Sequence, residues 1–108
     1  MNRKLLIFIF TLFLLPISIT VVGQNTISGI VIDKKTGETL PGVIITVKGQ
    51  TVGTTSDYDG EFSLSVNAAA KTLVFSYLGY ERQEIGLDKI KDPKSVTVLM
   101  AEKATSLD

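Results

Sequence analysis

The chain has no cysteine, no histidine and no tryptophan among its 108 residues. Without Cys or His there is no His/Cys zinc site, no thiolate nucleophile, no haem or iron–sulfur ligation and no Ser-His-Asp relay. No disulfide can brace the fold and no lipid-bearing N-terminal cysteine can anchor it, so an apolar core must hold the domain alone. Neither sign of charge is in surplus, with 11 Lys+Arg against 11 Asp+Glu. A nucleic-acid-binding face needs clustered excess Lys and Arg, so the balance argues against that class. Acid–base chemistry would fall to carboxylates, Lys or Tyr. The length allows one domain.

What is present starts with a leader. Asn2-Arg3-Lys4 is a short basic opening, Leu5 to Leu15 is an apolar stretch of secretory length, and Pro16 ends it. Val21-Val22-Gly23 is a small, uncharged approach to cleavage, which places the cut between Gly23 and Gln24 and makes residues 1–23 a signal peptide. An uncleaved anchor is the lesser reading: Leu5 to Val22 is barely long enough to cross a bilayer and is interrupted by Thr11, Pro16, Ser18 and Thr20. The 85 residues from Gln24 onward carry 9 Lys+Arg and 11 Asp+Glu, a net charge of −2. A domain of this size buries only about 60% of its unfolded-chain surface and is marginal by itself.

From Gln24 to Met100 the apolar period is two, not 3.6. Thr26–Asp33 places Ile27, Gly29 and Val31 on one face, and after Leu40-Pro41-Gly42 the residues Val43, Ile45 and Val47 alternate with Ile44, Thr46 and Lys48. Thr51–Ser56 reads as a short strand, Glu61–Asn67 as one pointing Phe62, Leu64 and Val66 inward, and Thr72–Leu78 as the most apolar and therefore central strand. Glu81–Leu87 and Ser95–Met100 complete the set, separated by a charged connection in which Pro93 prevents regular pairing. Seven short strands with turns between them predict an all-β sandwich of immunoglobulin-like size over residues 24–100. Residues 101–108 lose the alternation and read as an exposed tail.

Several small groups imitate chemistry. Asp57-Tyr58-Asp59-Gly60 looks like half a calcium loop, but the position that needs a bidentate Glu is Ala68 or Val66, so a capped tight turn is expected. Glu81 and Glu84 have odd spacing, which puts them on opposite faces of a strand and prevents a carboxylate pair. Gly49, Gly53, Gly60 and Gly79 do not make a phosphate-cradling loop before a helix; their places at strand ends suggest turns and bulges. Tyr77, Leu78 and Tyr80 are expected in the core more than in a binding patch. Ile30, Ile32 and Ile44 lie opposite the core face and suggest an apolar outer face that something covers. No catalytic residue, metal ligand, cofactor site or small-molecule site emerges.

The ordered motifs carry a family resemblance. They are Ile27-Ser28-Gly29-x-Val31-x-Asp33, then Gly37-Glu38-x-Leu40-Pro41-Gly42-Val43, then Val47-Lys48-Gly49 and Gly53-Thr54, then Asp57-x-Asp59-Gly60-x-Phe62, and finally Leu78-Gly79-Tyr80-Glu81. In this order the chain resembles the carboxypeptidase-regulatory-like domain that opens the SusC/RagA type of TonB-dependent outer-membrane receptor in Bacteroidetes. It departs at Ser56, where Thr commonly precedes the Asp, and at Met100, where Leu is common. The resemblance implies a seven-stranded transthyretin-like or immunoglobulin-like sandwich, non-catalytic and periplasmic, ahead of a plug and barrel that import glycans, peptides or other nutrients. Its implied partners are that plug and barrel, and the TonB complex or another periplasmic protein. The family positions Gly29, Asp33, Pro41, Gly42, Gly49, Gly53, Asp57, Asp59, Gly60, Phe62, Gly79 and Tyr80 are expected to serve structure. Ser106-Leu107-Asp108 resembles the approach to the coupling box, so the chain is expected to be a fragment of such a receptor. The alternative is an autonomous exported sandwich that binds a protein or glycan.

Overall fold

The computed structural model describes residues 25–104. The leader, its cleavage point and Ser106-Leu107-Asp108 lie outside the described residues. Among the described residues the strands are β1 (Asn25–Asp33), β2 (Ile44–Val47), β3 (Gly53–Thr55), β4 (Glu61–Val66), β5 (Thr72–Ser76), β6 (Gln83–Gly86) and β7 (Val96–Met100), with one 3-10 turn at Leu87–Lys89. They form two sheets, ordered β4-β1-β7 and β3-β2-β5-β6. All neighbours are antiparallel except β1 and β7, which run in parallel from Gly29 opposite Val96 to Asp33 opposite Met100.

The period-two alternation fills the space between the sheets. Ile27 and Val31 from β1, Phe62, Leu64 and Val66 from β4, and Val98 and Met100 from β7 face Ile45, Val47, Leu73 and Phe75 from the other sheet, and all are buried. Phe62 and Phe75 meet across the sheets edge to face, with centroids 5.5 Å apart and planes at 73°, a favoured aromatic geometry. Met100 is fully buried, so it does there the packing that Leu would do at nearly equal volume. Gly29 continues the inward face of β1, and a Cβ at that point would collide with the Val96 carbonyl and side chain. A side chain there would force β1 and β7 apart.

The expected strands are all present; β1 begins one residue earlier and the others are shorter. β5 stops at Ser76 rather than Leu78, and β6 starts at Gln83 rather than Glu81. The cause is a turn in which the Tyr80 N–H donates to the Tyr77 carbonyl at 3.0 Å, while the Glu81 N–H donates to Ala101 rather than to a strand of its own sheet. Leu78, expected inside, is the tip of that turn and 96% exposed, while Tyr77 and Tyr80 pack partly buried against the core. β3 loses Ser56 because that residue is drawn inward, its N–H donating to the Val43 carbonyl at 2.9 Å.

Ile30 and Ile32 do not share a face with Ile44. The first two lie on the outside of the three-stranded sheet, where Ile32 is opposite the half-exposed Leu99, and Ile44 lies on the outside of the four-stranded sheet. The single apolar outer face expected from the sequence is therefore two smaller patches on opposite sides of the sandwich.

Candidate functional site

Strand directions bring most of the motif residues to one end of the molecule. β1, β5 and β7 finish there, β2 and β4 start there, and the turns after Asp33, Leu40, Ser56 and Ser76 close it. Asp33, Pro41, Gly42, Asp57, Asp59, Gly60, Gly79 and Tyr80 occupy those turns, whereas Gly49 lies at the opposite end and Gly29, Gly53 and Phe62 lie along strands. The chain also leaves the sandwich at this end, after Met100.

Three side chains mark the exit. Asp33 is buried at the end of β1, where its Oδ1 accepts from the Lys35 N–H at 2.7 Å and the Thr36 N–H at 3.1 Å. Its Oδ2 accepts from the Tyr80 hydroxyl at 2.6 Å, across 47 residues of sequence. The Glu102 Oε1 lies 3.4 Å from the same hydroxyl. One phenolic proton cannot serve both acceptors fully, so the shorter bond to Asp33 takes it. Around this group the backbone forms a clip: Glu81 N–H donates to Ala101 at 2.8 Å, Lys103 N–H to Gly79 at 2.9 Å and Lys34 N–H to Met100 at 2.9 Å. The segment from Ala101 to Lys103 belongs to the stretch expected as an exposed tail; Glu102 and Lys103 are exposed, and the backbone is fastened to the Tyr77–Glu81 turn.

The electrostatics follow from these bonds. The Tyr80 hydroxyl, followed by the Thr36 and Lys35 N–H groups, holds the Asp33 carboxyl below its ordinary value because each donor favours the charged form. Its hydrogen bond to Asp33, then burial and the two nearby carboxylates, push the Tyr80 phenol well above its ordinary value, since a phenolate there would lose its bond and face like charge. Both groups move away from neutrality, so this pair is a poor proton exchanger near pH 7 and a good static link.

Two further ties complete the end. The Ser56 hydroxyl, buried, accepts from the Val43 N–H at 2.8 Å and donates to the Leu40 carbonyl at 2.6 Å, which locks the Leu40–Val43 loop containing Pro41 and Gly42. The hydroxyl common to Ser and Thr is what this position needs. Asp57 Oδ1 accepts from the Asp59 and Glu61 N–H groups, both at 2.9 Å, and so caps the turn before β4. Gly60 closes that turn at φ +77°, where a Cβ would collide with the Val31 carbonyl and the Thr39 side chain. The capped turn is the arrangement expected for Asp57-Tyr58-Asp59-Gly60. Among the described residues no three His, Cys, Asp or Glu side chains are grouped to hold a metal. Glu81 precedes β6, while Glu84 lies within it and pairs with Lys48 at 3.1 Å on the surface.

Ser56 and Glu102 are the residues of this end that sequence reasoning missed as functional. Ser56 had a signal, a hydroxyl at a position where the family commonly carries one. Glu102 had none, because it follows the last alternating strand.

The profile of the CarboxypepD_reg-like domain matches residues 27–108. The chain is 37% identical over 108 residues to TonB-dependent receptor P3 of Formosa agariphila, a match that covers 99% of this chain and 10% of that receptor. It is 45% identical over 62 residues to TonB-dependent receptor SusC of Bacteroides thetaiotaomicron, covering 57% of this chain and 6% of that one. It therefore spans about a tenth or less of the length of these receptors. Among solved structures, a chain of a type II cohesin–X-dockerin complex from Acetivibrio cellulolyticus superposes with a TM-score of 0.58 at 21% identity, covering 72% of this chain and 58% of that one. The shaft pilin SpaA of Lactobacillus rhamnosus GG gives 0.50 at 19% identity, covering 79% and 48%. At such identities the likeness concerns the sandwich fold alone. The carboxypeptidase-regulatory-like reading of the motifs holds: this chain belongs to the CarboxypepD_reg-like domain family.

Proposed function

We propose that these residues are the non-catalytic, periplasm-facing N-terminal module of a TonB-dependent outer-membrane receptor for glycan or peptide nutrients, and that the chain is a fragment of that receptor. The observation that carries this reading is the lopsided match, nearly all of this chain against a tenth of a receptor. The fastened exit supports it physically, since a module that leads into a larger body gains from releasing its chain at a defined point. In this reading residues 1–23 export the protein and are removed. The partners are the plug and barrel that follow, together with the TonB complex or another periplasmic protein. Reading the coding sequence past Asp108 tests the proposal: an in-frame continuation into a plug and barrel supports it, and a stop codon directly after Asp108 contradicts it. N-terminal sequencing of exported protein should begin at Gln24, and a start at Met1 contradicts the leader.

The second reading, an autonomous exported sandwich that binds a protein or glycan, has one observation in its favour. Ile30, Ile32 and the half-exposed Leu99 make an apolar stripe on the outside of the three-stranded sheet. A stop codon after Asp108 would favour it.

A further inference from the structure

The described chain enters the sandwich along β1 and leaves along β7, and these strands lie side by side in the same direction. Their outer termini are consequently at opposite ends of the molecule: Asn25 at the far end and Met100 at the exit. The ladder bonds of a parallel pair are evenly spaced and cross between the strands. Tension between Asn25 and the polypeptide beyond Ala104 runs along both strands and across those bonds, so the bonds share the load and must fail together. Had β1 and β7 been antiparallel, both termini would meet at one end and the same tension would part the bonds one at a time.

The surroundings of the pair fit this loading. β1 is the middle strand and is held on its other edge by β4, from Asn25 opposite Val66 to Ile30 opposite Glu61. The Ser28 N–H donates to the Pro93 carbonyl at 2.7 Å just ahead of β7, and the Lys34 N–H donates to Met100 at 2.9 Å at its end. Beyond Met100, the clip of Gly79, Glu81, Ala101 and Lys103, with the Tyr80 bond to Asp33, meets a pull on the exit before the strands do.

We infer that the sandwich is built to withstand tension applied between its two ends: when Asn25 and the exit segment are both held, β1 and β7 are loaded in shear and the fold resists unfolding. This rests on strand order and direction, and it stands whether or not the receptor reading holds.

Single-molecule pulling on the full chain tests it, and the absence of native cysteine makes the handles unique. One cysteine is added after Asp108, and a second is placed by Asn25→Cys or by Thr36→Cys, both at exposed positions. The Asn25 handle loads β1 and β7 in shear. The Thr36 handle lies in the turn after β1, beside the exit, and peels the same two strands apart from one end. The expected result is a rupture force several-fold higher with the Asn25 handle. Equal forces, or a lower force with the Asn25 handle, would overturn the inference. If circular dichroism shows that Thr36→Cys does not fold, Lys35→Cys supplies the same peeling geometry with the same two outcomes.

Discussion

At the exit end side chains tie the loops to other parts of the chain, whereas at the far end, where backbone bonds such as Lys48 N–H to Thr72 and Leu87 N–H to Lys71 join the loops, the side-chain bonds mostly stay within their own loop. Asp33 joins its own turn to Tyr80, Ser56 locks the Leu40–Val43 loop, and Gly60 lies against Val31 and Thr39. At the far end, Asn67 caps its own Ala69 N–H at 3.0 Å and Asp92 its own Lys94 N–H at 3.0 Å, and the exposed Gln50–Asn67 contact at 3.2 Å adds one side-chain link. Both ends rest on the same core. The family motif residues are concentrated at the end where the side-chain ties are long-range.

Phe75 lies in the core that both ends share, fully buried and edge to face with Phe62. Phe75→Ala should cost about 3–5 kcal/mol, enough to unfold a marginal domain. Urea titration would show both ends losing structure together, and a melt like that of the parent would contradict the core assignment. Two glycines then separate the ends. Gly49 and Gly60 share a positive φ, at +81° and +77°, but a Cβ on Gly49 meets nothing within 4 Å, whereas one on Gly60 meets the Thr39 side chain at 2.8 Å and the Val31 carbonyl at 2.9 Å. Gly49→Ala should therefore cost only the conformational penalty, about 1–2 kcal/mol, and Gly60→Ala distinctly more. Equal urea midpoints for the two variants would erase the distinction.

The exit link should also respond to pH. Asp33 is held below its ordinary 3.8 in the folded chain, so its contribution is complete above that value and is lost as pH falls through the folded value. The stability gap between the parent and Asp33→Asn should stay constant from neutral pH down to about pH 5 and close below about pH 4. A gap that persists to pH 2 would place the stabilisation elsewhere. The raised Tyr80 gives the mirror case: its contribution is complete below the ordinary tyrosine value of 10.0 and is lost only as pH rises through the folded one. Both parts of the link are therefore intact across the neutral range.

The strands were legible because each alternates at period two with β-branched and aromatic residues inward, as in Val43-x-Ile45-x-Val47 and Phe62-x-Leu64-x-Val66. Their ends were less so. Tyr77 and Leu78 continue the apolar run of β5, but the positive φ of Gly79 and the pairing of Glu81 with Ala101 end the strand before them. Sheet membership was not legible, because alternation says which side chains share a face and nothing of which strands are neighbours. For that reason Ile30 and Ile44 looked like one surface while lying on opposite sides. Of the exit link, Asp33 and Tyr80 were visible through the family motif, but their bond crosses 47 residues and no local pattern announces it. Glu102 was invisible because the clip that positions it is made of backbone bonds.

The central claim, that the Tyr80–Asp33 bond steadies the turn to which the departing chain is fastened, is tested most directly by native-state hydrogen exchange on the parent and on Tyr80→Phe, read at the amides of Glu81 and Lys103. The expected result is faster exchange at those two amides, with the amides of β2 and β5 unchanged. Unchanged protection at Glu81 and Lys103, or an equal loss throughout both sheets, would contradict it.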